Sequence, residues 1–169
     1  MDVFDAINTR RSIRSYTDQP VSDEMVQDII KAGMLAPSAG NQRPWHFIVI
    51  RDQELLAKVP DFQSYAKMVT KAPVSILVCG DPEGKKWPDF WPQDCSAALQ
   101  NMLLAARGLG LGTVWAGIYP LEERIVATRN LFGIPENVIP FAIMPIGWPK
   151  DEFTAKDRFE PELIHHDRW

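Results

Sequence analysis

Three arginines and a serine stand within five residues near the start of the chain, at Arg10-Arg11-Ser12-Ile13-Arg14. A guanidinium stays charged at any ordinary pH, and its planar fork suits two-point contact with a phosphate or carboxylate. The whole chain carries a formal net charge of −4, so positive charge is concentrated here against an acidic background. The residues read as an anion-binding cluster. A second reading stays open on the local pattern. A helix is predicted over residues 2–10, with Val3, Phe4 and Ile7 on one face, and arginines just past its last turn would complement the helix dipole.

Other residue types offer less. Cys79 falls in an apolar run and Cys95 near a helix start; with no histidine nearby in sequence, Cys95 is a poor nucleophile candidate, and the two do not form a disulfide framework. The adjacent His165-His166 pair would point in different directions on any regular backbone, so no metal site is assigned. His46, entering an apolar strand, reads as a hydrogen-bonded interior residue. No Ser-His-Asp or Cys-His set is evident, and no catalytic side chain is assigned.

Regular elements must position the cluster. Ser22 reads as an N-cap, with Asp23 and Glu24 in the first turn of a helix that buries Val26, Ile29, Ile30, Gly33 and Met34 and ends before Pro37. A loop of small residues, Ala36 to Trp45, leads into a strand at 46–50 whose continuous apolar character suits a sheet covered on both faces. Residues 52–71 predict one or two short helices broken at Pro60, 74–79 a buried strand, and 80–92 a polar and aromatic loop. A helix follows over 93–107. The run Gly108-Leu109-Gly110-Leu111-Gly112 leaves that helix and opens a strand at 113–118, the reverse of a dinucleotide fingerprint, so its glycines cap the helix and permit close backbone approach. A helix at 121–132 closes at Gly133. A strand at 138–148 carries Pro140 and Pro145, which predicts a bent or edge position. The tail, 149–169, has no period but scattered apolar anchors.

The length of 169 residues, with 46% hydrophobic and 24% charged residues, fits one globular domain. The opening MDVFDAINTRR has no signal-peptide pattern, and no apolar run reaches membrane-span length, which predicts a cytoplasmic protein with no membrane contact. The absence of an extended basic stripe argues against nucleic acid.

Taken together, the Arg10–Arg14 cluster, the Ala36–Trp45 loop, the Ala97–Leu111 helix with its Gly-Leu-Gly turn, Trp115-Ala116-Gly117 and the tail cations Lys156 and Arg158 resemble the FMN-dependent nitroreductase family over nearly the whole chain. The resemblance is to a compact member. It implies an α+β fold, with a central mixed but mostly antiparallel sheet flanked by helices, in an intertwined homodimer whose C-terminal tail (149–169) extends over the partner. By position, Arg10, Arg11 and Ser12 match residues that hold the FMN phosphate and ribityl chain. Arg14 matches the cation near flavin N1 and O2, where it stabilises reduced flavin and raises its potential. Pro37, Ser38, Ala39 and Asn41 match the loop that the second subunit lays along the ring, Gly117 and Ile118 the backbone near N5, and Lys156 and Arg158 the tail contacts to phosphate. One departure is visible: Arg43 stands where the family often has Gln, so either Gln42 substitutes or Arg43 adds charge. The implied activity is two-electron ping-pong transfer from NADH or NADPH through FMN to nitroaromatics, quinones or similar flat electrophiles. Two alternatives remain: a family flavoenzyme with other chemistry, such as dehalogenation, flavin fragmentation or heterocycle oxidation, or a non-enzymatic flavin-binding protein.

Overall fold

A computed structural model describes residues 1–169 as a five-stranded antiparallel sheet between two layers of helix. The elements run α1 (Val3–Thr9), α2 (Asp23–Met34), β1 (Trp45–Ile50), α3 (Gln53–Lys58), β2 (Val74–Gly80), α4 (Trp91–Gly108), β3 (Gly112–Thr113), β4 (Ala116–Gly117), α5 (Glu122–Phe132) and β5 (Ile139–Gly147). Short 3-10 turns occupy Ala39–Asn41, Val59–Asp61 and Ser64–Lys71. The sheet order is β1-β2-β5-β3, with β4 also on β5. No helix is long and apolar enough to cross a membrane.

Alternation along the strands divides the core. Ile76 and Val78 of β2 with Met144 and Ile146 of β5 pack under α2 and α4, while Leu77, Cys79 and Ile143 face α3 and α5. Caps fall where their chemistry predicts. Asp2 Oδ1 accepts from Asp5 N–H at 2.9 Å, Ser22 Oγ accepts from Met25 N–H at 3.2 Å, and Gly133 closes α5 in the left-handed conformation at φ 65°.

Several expectations are corrected. Met34 is exposed and Ile30 half-buried, because the face that meets α4 is the narrower Val26, Ile29, Gly33 stripe. β1 packs on both core layers through Phe47 and Ile48, but it is an edge strand, and His46 is exposed, its Nε2 3.8 Å from Asp81 Oδ2 rather than bonded in the interior. The strand expected at 113–118 is broken into β3 and β4. β5, expected to be bent or at an edge, is an irregular strand in the centre of the sheet.

The prolines of β5 explain how it tolerates that place. Val78 pairs with Ala142 and Cys79 with Pro140, so Phe141 is the extra residue of a bulge. β3 pairs with residues 146–147 of β5 and β4 with residues 142–143, so Met144 and Pro145 face the gap between them. There a proline's missing N–H deprives no ladder partner. The bulge also aims the Phe141 carbonyl outward, where it accepts from both Ile118 N–H and Tyr119 N–H at 3.0 Å.

The arginine segment is pinned to the far edge of this sheet. Ser12 bridges Thr113 in parallel, Ile13 N–H donates to Thr113 O at 2.9 Å, and Tyr16 bridges Pro149. This isolated bridge is a parallel pairing beside strands that all pair antiparallel. Ile13 and Tyr16 are buried, at 4% and 3% exposure, and the Tyr16 hydroxyl donates to Ile13 O at 2.7 Å. Two glycines make room for them: a Cβ at Gly112 would lie 2.6 Å from Ile13 Cγ2, and one at Gly147 would lie 2.9 Å from the Tyr16 ring. Gly112→Ala should therefore destabilise the fold by about 1–3 kcal/mol through overpacking. Urea unfolding measures this, and an unchanged midpoint would contradict the pinning.

Candidate active site

With Ile13 and Tyr16 turned inward, Ser12 and Arg14 face solvent, and Arg10 and Arg11 follow the end of α1. Arg10, Arg11, Ser12 and Arg14 line a cavity of about 450 Å³ together with Lys156 and Arg158 of the tail. Asp151 and Glu152 also border it. Yet none of the five cations is within ion-pair distance of a carboxylate; the chain's Lys and Arg ion pairs are Lys31–Asp28 and Arg51–Asp23. Burial, then the neighbouring charges of Arg11 and Arg158, pull the Arg10 guanidinium below its ordinary value. Arg11 donates through Nη1 to Arg10 O at 2.6 Å, while its Nε and Nη2 are buried without any partner. Buried charged donors left unpaired are costly. A dianionic phosphate would satisfy both, so the residues fit the phosphate end of FMN.

The first part of the tail is tied to its own chain. Lys150 N–H donates to Ser15 O at 3.1 Å, and Lys156 and Arg158 reach the arginines of their own chain. Residues 149–158 thus lie on the same subunit, held by the edge bridge at Pro149. Beyond them, Phe159 and Leu163 are exposed and Trp169 is fully so, at 100%.

Arg14 also lines a second cleft of about 450 Å³, with Gln63, Tyr65, Trp115, Gly117, Tyr119 and Arg124 among its walls. One cation thus joins the phosphate cavity to an aromatic-walled cleft, the shape a ring with a phosphorylated chain needs. The Gly117 carbonyl accepts from Gln63 Nε2 at 2.5 Å and from Arg124 Nη1 at 3.2 Å. Ile118 is in the core and its N–H is taken by Phe141, so of that pair Gly117 alone fronts the cleft. Gln63, buried at 2% exposure, and Arg124, whose Nε is also orphaned, were not singled out from sequence. The one legible signal was an amide just outside a short apolar helix.

Pro37, Ser38, Ala39 and Asn41 line neither of these cavities. Their loop is nonetheless tightly specified. Gly40, Asn41 and Arg43 all have positive φ (58°, 54° and 47°), a strained run for the two that carry side chains. Buried Asp94 accepts from Ala39 N–H at 3.0 Å, and Ser38 Oγ accepts from Arg43 N–H at 3.0 Å. Gln42 Oε1 accepts from Trp87 N–H at 3.0 Å. Gln42 is thereby committed to the loop's own staple, and the exposed side chain is Arg43.

The comparisons with known proteins agree with this geometry. The chain belongs to the nitroreductase family, whose model matches residues 7–67 and 62–148. It is 53% identical over 169 residues to a Methanothermobacter thermautotrophicus protein named "Putative NADH dehydrogenase/NAD(P)H nitroreductase", covering 100% of this chain and 88% of that protein. The Bacillus subtilis FMN reductase (NAD(P)H) is 31% identical over 183 residues, covering 98% of this chain and 73% of that one. A Desulfovibrio desulfuricans protein whose crystal structure is a complex with FMN superimposes with a TM-score of 0.84 at 37% identity, covering 100% of this chain and 98% of that one.

Neither thiol takes part in the site. Burial raises Cys79 to about 12 and Cys95 higher still, Cys95 being pushed further by Cys79 and Asp94. Raised folded values mean that the buried thiols favour the folded state at neutral pH, and that this stability is lost as pH rises past about 9, the ordinary thiol value. Native protein at pH 8 should therefore leave both thiols unlabelled by Ellman's reagent, with two reacting after denaturation, and its unfolding free energy should fall between about pH 9 and 11. Fast labelling of the native chain would contradict this burial.

Proposed function

We propose that this chain is an NAD(P)H-dependent FMN oxidoreductase that works as a homodimer and delivers two electrons at a time to flat electrophiles such as nitroaromatics or quinones. The observation that carries the reading is the pair of orphaned Arg11 donors within a wall of unpaired cations, joined through Arg14 to an aromatic cleft. Bound FMN supplies the redox chemistry, taking electrons from the nicotinamide and passing them to the acceptor.

The chain's own residues bind, orient and tune. Arg10, Arg11, Ser12, Lys156 and Arg158 hold the phosphate end. Arg14 faces the ring and favours its reduced, more negative state. Gln63 and Arg124 fix the Gly117 carbonyl, which sets the backbone along the cleft. The strained Pro37–Asn41 loop covers the ring of a second copy, with Arg43 adding positive charge beside it. Exposed Val3, Phe4 and Ile7 on α1, and Phe159 and Leu163 in the tail, are apolar surfaces that such a dimer would bury. The family names of the archaeal and Bacillus relatives point the same way.

The purified protein should be yellow or take up FMN, bleach on anaerobic addition of NADH or NADPH, and reoxidise with a nitroaromatic or quinone. A flavin-loaded protein that neither nucleotide reduces would favour the other flavin chemistries. Turnover no faster than free FMN would favour a carrier. Arg14→Ala should lower the flavin potential by ~30 mV or more, about 1.4 kcal/mol for a two-electron couple, with modest loss of FMN. An unchanged potential would remove Arg14 from the ring.

A further inference from the structure

Phe153 is the one half-buried side chain between Asp151 and the end of the tail. It packs on the cluster of Ile13, Tyr16 and Ala72 beneath the arginine segment. Its exposed ring face is covered by Arg107, from the last turn of α4, with the guanidinium carbon 3.8 Å from the ring centroid. Arg107 Nε also donates to Thr9 Oγ1 at 2.9 Å, and that hydroxyl in turn donates to Asp5 O at 2.5 Å. Thr9 is the last residue of α1 and directly precedes Arg10. One arginine thus touches both segments that deliver cations to the phosphate cavity: the helix that ends at Arg10, and the tail that goes on to Lys156 and Arg158.

Burial disfavours the Arg107 charge, and the Asp5 carboxylate offsets this in part. Stacking on an aromatic face together with a directional N–H bond is a contact that guanidinium makes and ammonium makes less well. We infer that Arg107 and Phe153 form a latch that positions Lys156 and Arg158 against Arg10 and Arg11, and so sets how fast a phosphate-bearing flavin leaves. The inference rests on the FMN reading above. Arg107 and Phe153 are positioning residues: neither is among those lining the phosphate cavity.

The test uses the dissociation rates of FMN and of riboflavin from full-length protein, followed by flavin fluorescence. Arg107→Lys keeps the charge and removes the planar stack; Phe153→Leu keeps an apolar anchor and removes the ring. Each should speed FMN dissociation by ~5- to 30-fold, the span that a part-buried cation–π contact allows, and leave riboflavin dissociation unchanged. The double variant should be no faster than the faster single, because both remove the same contact. Equal acceleration of FMN and riboflavin overturns the latch in favour of general loosening, and no acceleration of either overturns it outright. Wild-type protein that binds no FMN overturns the flavin reading and the latch with it, whereas tight wild-type binding with unaltered variants overturns the latch alone.

Discussion

Two buried side chains, Ile13 and Tyr16, set against two glycines of the sheet, are the constraint on which the site depends. A short segment of alternating residues cannot hold several arginines in fixed places by itself, since each long side chain loses rotamer entropy when it is ordered. Here the inward residues fill gaps left by Gly112 and Gly147, and the outward ones, Ser12 and Arg14, face the cavities. The same apolar cluster receives Phe153 from the tail. The backbone is fixed by packing and sheet bonds, so the cations need no carboxylate partners to be held in place.

Leaving charges unpaired has a thermodynamic consequence. Burial and like-charged neighbours both disfavour the Arg10 guanidinium, and Arg11 has two buried donors without a hydrogen-bond partner. Such an arrangement costs folding free energy that a bound anion would restore. It is the pattern of strain at a functional site, and the positive-φ run at Gly40, Asn41 and Arg43 is a second instance, held by Asp94, Ser38 and the Gln42–Trp87 staple. On the function proposed above, both strained segments are places where the chain meets something other than itself.

Much of this was legible in the residues. The apolar stripe of α2, the buried run of β2, the capping residues and the concentration of arginine each follow from local chemistry. The glycines after α4 behaved as read, Gly110 at φ 81° and Gly112 beneath Ile13. Of the bent or edge position that the prolines of β5 predict, the irregularity is found and the edge is not, because a bulge at Phe141 and the break between β3 and β4 absorb both prolines in a central strand. His46 was misread because apolar neighbours do not reveal which edge of a sheet a strand occupies. Gln63 and the Arg107–Phe153 contact join positions far apart in sequence, whereas Arg124 reaches back only seven residues to Gly117, and nothing in their local surroundings marks them.

The central claim is that the Arg10–Arg14 wall holds the phosphate of a flavin, and a crystal structure of the chain with FMN tests it most directly. The account predicts a phosphate oxygen about 2.7–2.9 Å from Arg11 Nε or Nη2, the spacing of a charge-assisted bond, with Lys156 or Arg158 of the same subunit completing the contact. A phosphate seated away from these arginines, with Arg11 still unpartnered, would contradict it.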